Sequence, residues 1–223
     1  MLGSIFGRVF QVLLRKPFLL WGLSLLGSLL ASLAFVGFIC VIPIGIGVSY
    51  TLTAGMSLVF LDGLRGKEVN SNQLFAGFKN FFHVAGGMAW MALWVLLWSL
   101  IPCVGIILGV YKAYSYRFTP YILITKPEIS ATDALKESIR MTYGYKGSMF
   151  AADLLLFAVP LFAFYIIALL ASIPYIGILF AMLLIVAYII YIVFISLASG
   201  LTQAAFYDTA EQNPISPIIG EQG

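Results

Sequence analysis

The chain has 223 residues, of which 62% are hydrophobic and only 9% charged, far from the roughly 25% charged mixture of soluble domains, and this excludes an ordinary water-soluble fold. Its apolar runs reach about 20 residues, enough to cross a ~30 Å hydrocarbon core as helix, and they are continuous rather than alternating, which argues against a β-barrel. The net charge of +3 is too small to argue for nucleic acid as a partner.

In chain order, residues 2–16 set Leu2, Ile5, Phe6, Val9 and Leu13 against Arg8, Gln11 and Arg15, the pattern of an amphipathic helix lying in the membrane interface. The apolar run after Pro17 is too long for the core of a signal peptide and lacks a small-x-small cleavage site, so it reads as an uncleaved first span. Six spans are expected, at about 18–41, 45–62, 84–101, 105–125, 149–173 and 177–207. Between spans 1 and 2 stands VIPIG, between 3 and 4 IPCVG, and between 5 and 6 IPYIG. Pro43, Pro102 and Pro174 thus each mark a tight uncharged turn, where proline removes a donor and glycine frees the backbone.

The opposite ends carry longer segments with helical amphipathicity. In SNQLFAGFKNFF, Leu74, Phe78 and Phe81 or Phe82 share a face. In SATDALKESIRMTYG, Ser130 and Asp133 start a helix as in a capping box, Ala131, Leu135 and Ile139 form its stripe, and Gly144 ends it. The chain reads as an in-plane helix, a span, a turn and a returning span, used three times; the competing reading is that any helical hairpin needs such a turn. The expected fold class is therefore all-α, a polytopic membrane protein of six transmembrane helices in three related hairpins with interfacial amphipathic helices. Residues 1–208 form one domain, in units of about 1–66, 67–127 and 128–208, and 209–223 a short polar tail.

Orientation follows from charge. The longer segments hold Arg8, Arg15 and Lys16, then Arg65, Lys67 and Lys79, then Lys126, Lys136, Arg140 and Lys146, and the three turns hold none. By the positive-inside rule the protein sits in the cell membrane, multi-pass, with both termini cytoplasmic.

The stretch LWSLIPCVGIILGVYKAYSYRFTPYILITKPEISATDALKESIRMTYGYK, with two following spans that end in QAAFYD, resembles a family of uncharacterised bacterial integral membrane proteins known only by a domain-of-unknown-function label (DUF975-type). The similarity covers about residues 71–208 and is most specific in YKAYSYRFTPYIL and KPEISATDALKES. Family members commonly have glycine directly after the turn proline, where this chain has Cys103. The resemblance implies six helices and a bacterial cytoplasmic membrane. A more distant similarity, to the membrane domain attached to some glycerophosphodiester phosphodiesterases, hints at lipids.

Polar residues inside the spans are the candidate site. Lys112 and Arg117 fall within the apolar slab if span 4 runs from Gly105 to Thr125, and a charge there should face the bundle, a water cavity or a partner. Asp153 in span 5 comes to nearly the depth of Arg117. Either the two pair, or Arg117 snorkels to the headgroups and Asp153 sits in an interfacial turn. Lys112 has hydroxyls at its depth, since span 2 carries Ser49, Thr53 and Ser57 at i, i+4 and i+8 and span 4 adds Ser115, Tyr116 and Thr119. Ser196, Ser199 and Gln203 continue the pattern in span 6. Lys112, Ser49, Thr53, Tyr116, Arg117 and Asp153 are thus the expected binding residues, either around a pocket for an anionic headgroup or carboxylate, or in interhelical hydrogen bonds.

Other residues favour packing. Trp90, Trp94 and Trp98 stripe span 3, and Ser24, Ser28 and Ser32 form a small-residue face with Gly27 and Ala31. Asp62 and Asp208 are expected to be solvated at the interface, His83 an interface residue, and Cys40 and Cys103 free thiols. No nucleotide loop, metal-binding histidine motif or nucleophile elbow is present, so no metal, cofactor or catalysis is expected. The expected function is non-catalytic handling or transport of lipid or a small anionic solute through a polar site between helices, with membrane lipids as partners. The alternative is a structural or accessory protein that organises lipids, docks a membrane protein partner or forms a homo-oligomer.

Overall fold

A computed structural model describes residues 2–15, 17–37, 42–171 and 177–214. Among these all regular elements are helical: α1 (Leu2–Arg15), α2 (Pro17–Gly37), α3 (Ile42–Leu64), α4 (Ser71–Leu74), a 3-10 helix (Ala76–Asn80), α5 (Phe81–Ser99), α6 (Gly105–Ser115), α7 (Thr119–Thr125), α8 (Ala131–Met141), α9 (Lys146–Ala171) and α10 (Gly177–Gln212). Four segments are long and apolar enough to cross a membrane: Pro43–Leu64, Ser71–Ser99, Lys146–Ile166 and Met182–Gln212. They mark a helical membrane protein.

Two expected spans are not in that set. The expected first span corresponds to α2, a helix of 21 residues without a charge, of which Leu19–Ser32 is the apolar stretch among the described residues. The expected fourth span is not one helix: it breaks over 116–118 into α6 and α7. Pro120 is the cause, because it has no N–H for the Tyr116 carbonyl and its ring would strike that carbonyl in a continuous helix. The chain turns tightly instead, with Thr119 N–H donating to Tyr116 C=O at 3.0 Å. Pro43 sits in the first turn of α3, where an amide hydrogen has no helical partner, rather than in the turn before it. The Pro102 turn is as expected, and the Pro174 turn lies outside the described residues.

The best-packed region is the end where charges gather. Ile5 and Val9 of α1, Leu20 of α2, Leu61 of α3, Phe118, Tyr121 and Leu123 near α7, Ala134 of α8 and Leu201, Phe206 and Tyr207 of α10 are all buried together. Tyr207 stacks on Tyr121 at 4.8 Å between centroids and meets Phe118 edge-on at 5.5 Å. Of the segments expected to lie in the interface, α1 buries Ile5 and Val9, α4 buries Leu74, and α8 buries Ala134 and Leu135, while Phe78, Phe82 and Ile139 of the expected apolar faces stay exposed. Gly55 allows one of these contacts: a Cβ there would stand 1.9 Å from the Leu74 carbonyl oxygen, so only glycine lets α4 sit on α3. Toward the other end, α5, α6, α9 and α10 expose Leu96, Ile106, Phe162, Leu183 and similar side chains, as expected where acyl chains are the solvent.

With 36 residues, α10 is about 54 Å long and outreaches a ~30 Å core. Its last turns therefore bind other elements. Asp208 accepts from Arg65 at 2.9 Å and Arg8 at 3.3 Å, Arg8 also donates to Thr209 at 2.6 Å, and Arg65 pairs with Glu211. Residues 209–212, expected in a polar tail, are helical. Asp62 is bound by Lys67 at 3.0 Å and by the Gln73 amide at 2.9 Å. Asp62 and Asp208 are buried and paired, not solvated as expected, because each helix end is covered by a following or distant segment.

Candidate functional site

The helix break opens onto a cleft of about 790 Å³, within the size range of small-molecule sites. One wall is a single face of α5, Met88, Met91, Ala92, Val95, Leu96 and Ser99, whose spacing of three and four residues keeps them in line. From Met88 to Ser99 that wall is about 16 Å long. Tyr50 and Thr53 of α3, Val110, Ala113 and Tyr114 of α6, Arg117, Pro120 and Gln203 of α10 complete the lining. Leu96 and Val110 are 55% and 48% exposed, so the cleft opens sideways between α5 and α6.

The polar side chains of the lining are Tyr50, Thr53, Ser99, Tyr114, Arg117 and Gln203. The Arg117 guanidinium meets Asp153 of α9 with both terminal nitrogens, at 2.5 and 3.1 Å. Tyr114 Oη donates to the same carboxylate at 2.7 Å, and its ring lies 4.9 Å from the guanidinium carbon. The side chains of Arg117 and Asp153 are 17% and 18% exposed. Asp153 does not line the cleft, so what the cleft meets is Arg117, its charge balanced from the far side. Gln203 and Tyr50 also line the cleft, and neither side chain has a hydrogen-bond partner among the described residues.

Of the six residues expected to bind, Arg117 and Thr53 reach this cleft, and Asp153 reaches it through Arg117. Thr53 also borders a smaller cleft of about 190 Å³ with Ser24, Ser28 and Ser196, and the Ser24 and Ser196 hydroxyls are 3.4 Å apart. Ser49 points toward α2, donating to the Gly45 and Ala31 carbonyls. Tyr116 is buried outside the lining. Lys112 is not directed at span 2: its ammonium lies 4.5 Å from the Trp98 ring centroid, where the ring quadrupole attracts a cation. Depth alone had suggested α3, but a four-carbon stem reaches the neighbouring helix of its own hairpin first.

Sequence reasoning missed Tyr114 and the α5 wall. The signal was present as a stripe at helical spacing, apolar Met88, Met91 and Val95 and then Ser99, beside the more conspicuous tryptophans; Trp90 and Trp94 meet each other edge-on at 5.9 Å. His83 Nε2 is buried without a partner. Cys103 is exposed with a free thiol, while Cys40 lies outside the described residues. Among the described residues no group of three or more His, Cys, Asp or Glu could hold a metal ion. No family model matches the chain, and neither a curated protein nor a solved structure does.

Proposed function

We propose that the protein is a non-catalytic, multi-pass bacterial membrane protein, with both termini cytoplasmic and six membrane-crossing segments, that holds an amphipathic lipid in the α5–α6 cleft. The observation that carries this reading is the composition of the cleft lining. A wall about 16 Å long, without charge, shares the cleft with Arg117, Gln203 and Tyr50. An acyl chain fits the wall, and the donors of Gln203 and Tyr50 fit the ester or headgroup oxygens of a lipid. A small anionic solute fits less well, since the lining is mostly apolar and its one cation is already neutralised by Asp153. The break over 116–118 is consistent with this reading, because irregular backbone at membrane depth is found where it is covered by protein or lines a cavity.

The competing accessory reading is favoured by one observation. Asp153 receives two bonds from Arg117 and one from Tyr114, which makes the pair a sound helix-to-helix tie with no ligand at all. Native mass spectrometry of protein purified in mild detergent separates the two. The wild type should retain a lipid adduct, and Val95→Trp, which fills the wall, should lose it while melting at the same temperature. Equal retention by both, or no adduct on the wild type, overturns the lipid reading.

A further inference from the structure

We infer that α8 sets the position of Arg117, with Ser138 as the positioning residue. The helix break leaves two backbone groups without helical partners. In a continuous helix Phe118 N–H would donate to Tyr114 C=O, and Ser115 C=O would accept from Thr119 N–H. Thr119 N–H goes instead to Tyr116 C=O, and Arg117 N–H reaches Tyr114 C=O only at 3.5 Å. That leaves a donor on Phe118 and an acceptor on Ser115, both buried, where no water can serve them.

One hydroxyl from α8 serves both. Ser138 Oγ accepts from Phe118 N–H at 3.2 Å and donates to Ser115 C=O at 2.9 Å. One turn later, Thr142 Oγ1 is 3.2 Å from the same Ser115 oxygen. Ser138 and Thr142 are fully buried, while the opposite face of α8 presents Asp133, Lys136 and Arg140 to the outside. The residue between the two served groups is not far to seek: Arg117 lies between Ser115 and Phe118, so the clamp holds the backbone on both sides of it.

Straightening is not an available substitute, because Pro120 obstructs a continuous helix. If α8 lifts, the break persists with its polar groups unserved, and Arg117 loses its fixed origin. Docking of α8 and engagement of Arg117 with Asp153 are therefore linked, and the linkage runs in both directions. An event on the outer face of α8 is thereby felt at the cleft. The inference rests on the break and the Arg117–Asp153 pair, not on what occupies the cleft.

Hydrogen exchange of the full-length protein in detergent tests it. Ser138→Ala should lower protection in peptides covering residues 115–119 by about tenfold and leave peptides covering residues 201–212 as in the wild type. Thr142→Val, which keeps shape and removes one of two donors to Ser115, should give the same local pattern at smaller amplitude. In the Ser138→Ala background, Asp153→Asn should destabilise less than it does in the native chain, which a purely structural role for Ser138 would not require. Unchanged exchange at 115–119 in both variants, loss spread equally over all helices, or an undiminished Asp153→Asn effect overturns the inference.

Discussion

Removing Asp153 should strand Arg117 as a charge in a poorly hydrated place. The two side chains are 17% and 18% exposed and joined by two bonds, so water supplies little compensation. Breaking a buried pair from one side costs about 3–5 kcal/mol, and a lone charge at mid-membrane depth about 2.5–3.5 kcal/mol on insertion scales. The residual exposure places the expectation near the low end, about 3 kcal/mol for Asp153→Asn and about the same for Arg117→Met. With both changes no charge remains to be stranded, and the double variant should lose about 3 kcal/mol or less, giving a coupling energy of about 3 kcal/mol or more. Tyr114→Phe removes one bond to the carboxylate and should cost about 1.5 kcal/mol. Reversible unfolding in mixed micelles with increasing denaturing detergent measures all four. A coupling energy within about 0.5 kcal/mol of zero would refute the reasoning and favour an Arg117 that snorkels to the headgroups.

Cys103 holds φ at +68°, a left-handed conformation that costs a side-chain-bearing residue about 1–2 kcal/mol, so Cys103→Gly should raise stability by up to about 1 kcal/mol in the same assay. Gly55→Ala should destabilise by about 3 kcal/mol, because its methyl would overlap the Leu74 carbonyl; a shift within about 0.5 kcal/mol would show that α4 does not rest on α3. The Ser130 hydroxyl, and then Lys136, hold the Asp133 carboxyl below its usual range. The stability this adds is present above the unfolded carboxylate pKa, about 4, and is lost as pH falls through the lowered folded value. The protection factor of the α8 amides, which removes the intrinsic pH dependence of exchange, should therefore fall on acidification in the wild type and respond less in Asp133→Asn. Cysteines placed at Ser71 or Lys136 should be shielded from an impermeant thiol reagent in intact cells and one at Tyr175 labelled, and the reverse pattern would invert the orientation.

Features written in local pattern were legible in the sequence. The apolar runs gave α3, α5, α9 and α10, and Ser130 caps α8 as its spacing to Asp133 indicates. Matched depth in successive spans brought Arg117 to Asp153. Pro120 was visible inside an expected span, and the break it causes could have been read from it; the expected continuous span over 105–125 gave that proline too little weight. Contacts between distant segments were not legible. Nothing local to Arg8 indicates Asp208, 200 residues away, and Ser138 and Thr142 look like ordinary polar positions on an amphipathic helix until Ser115 is placed beneath them. Lys112 shows the limit of depth reasoning, since helical rise fixes height along the membrane normal and not which neighbour a flexible side chain reaches.

Photo-crosslinking from a lipid that carries a reactive group in its acyl chain tests the central claim most directly. The α5 wall predicts saturable labelling at Met91, Val95 and Ser99, competed by unlabelled lipid and abolished by Val95→Trp. Labelling that does not saturate and falls equally on Leu93 and Leu97, on the outward face of the same helix, would contradict it.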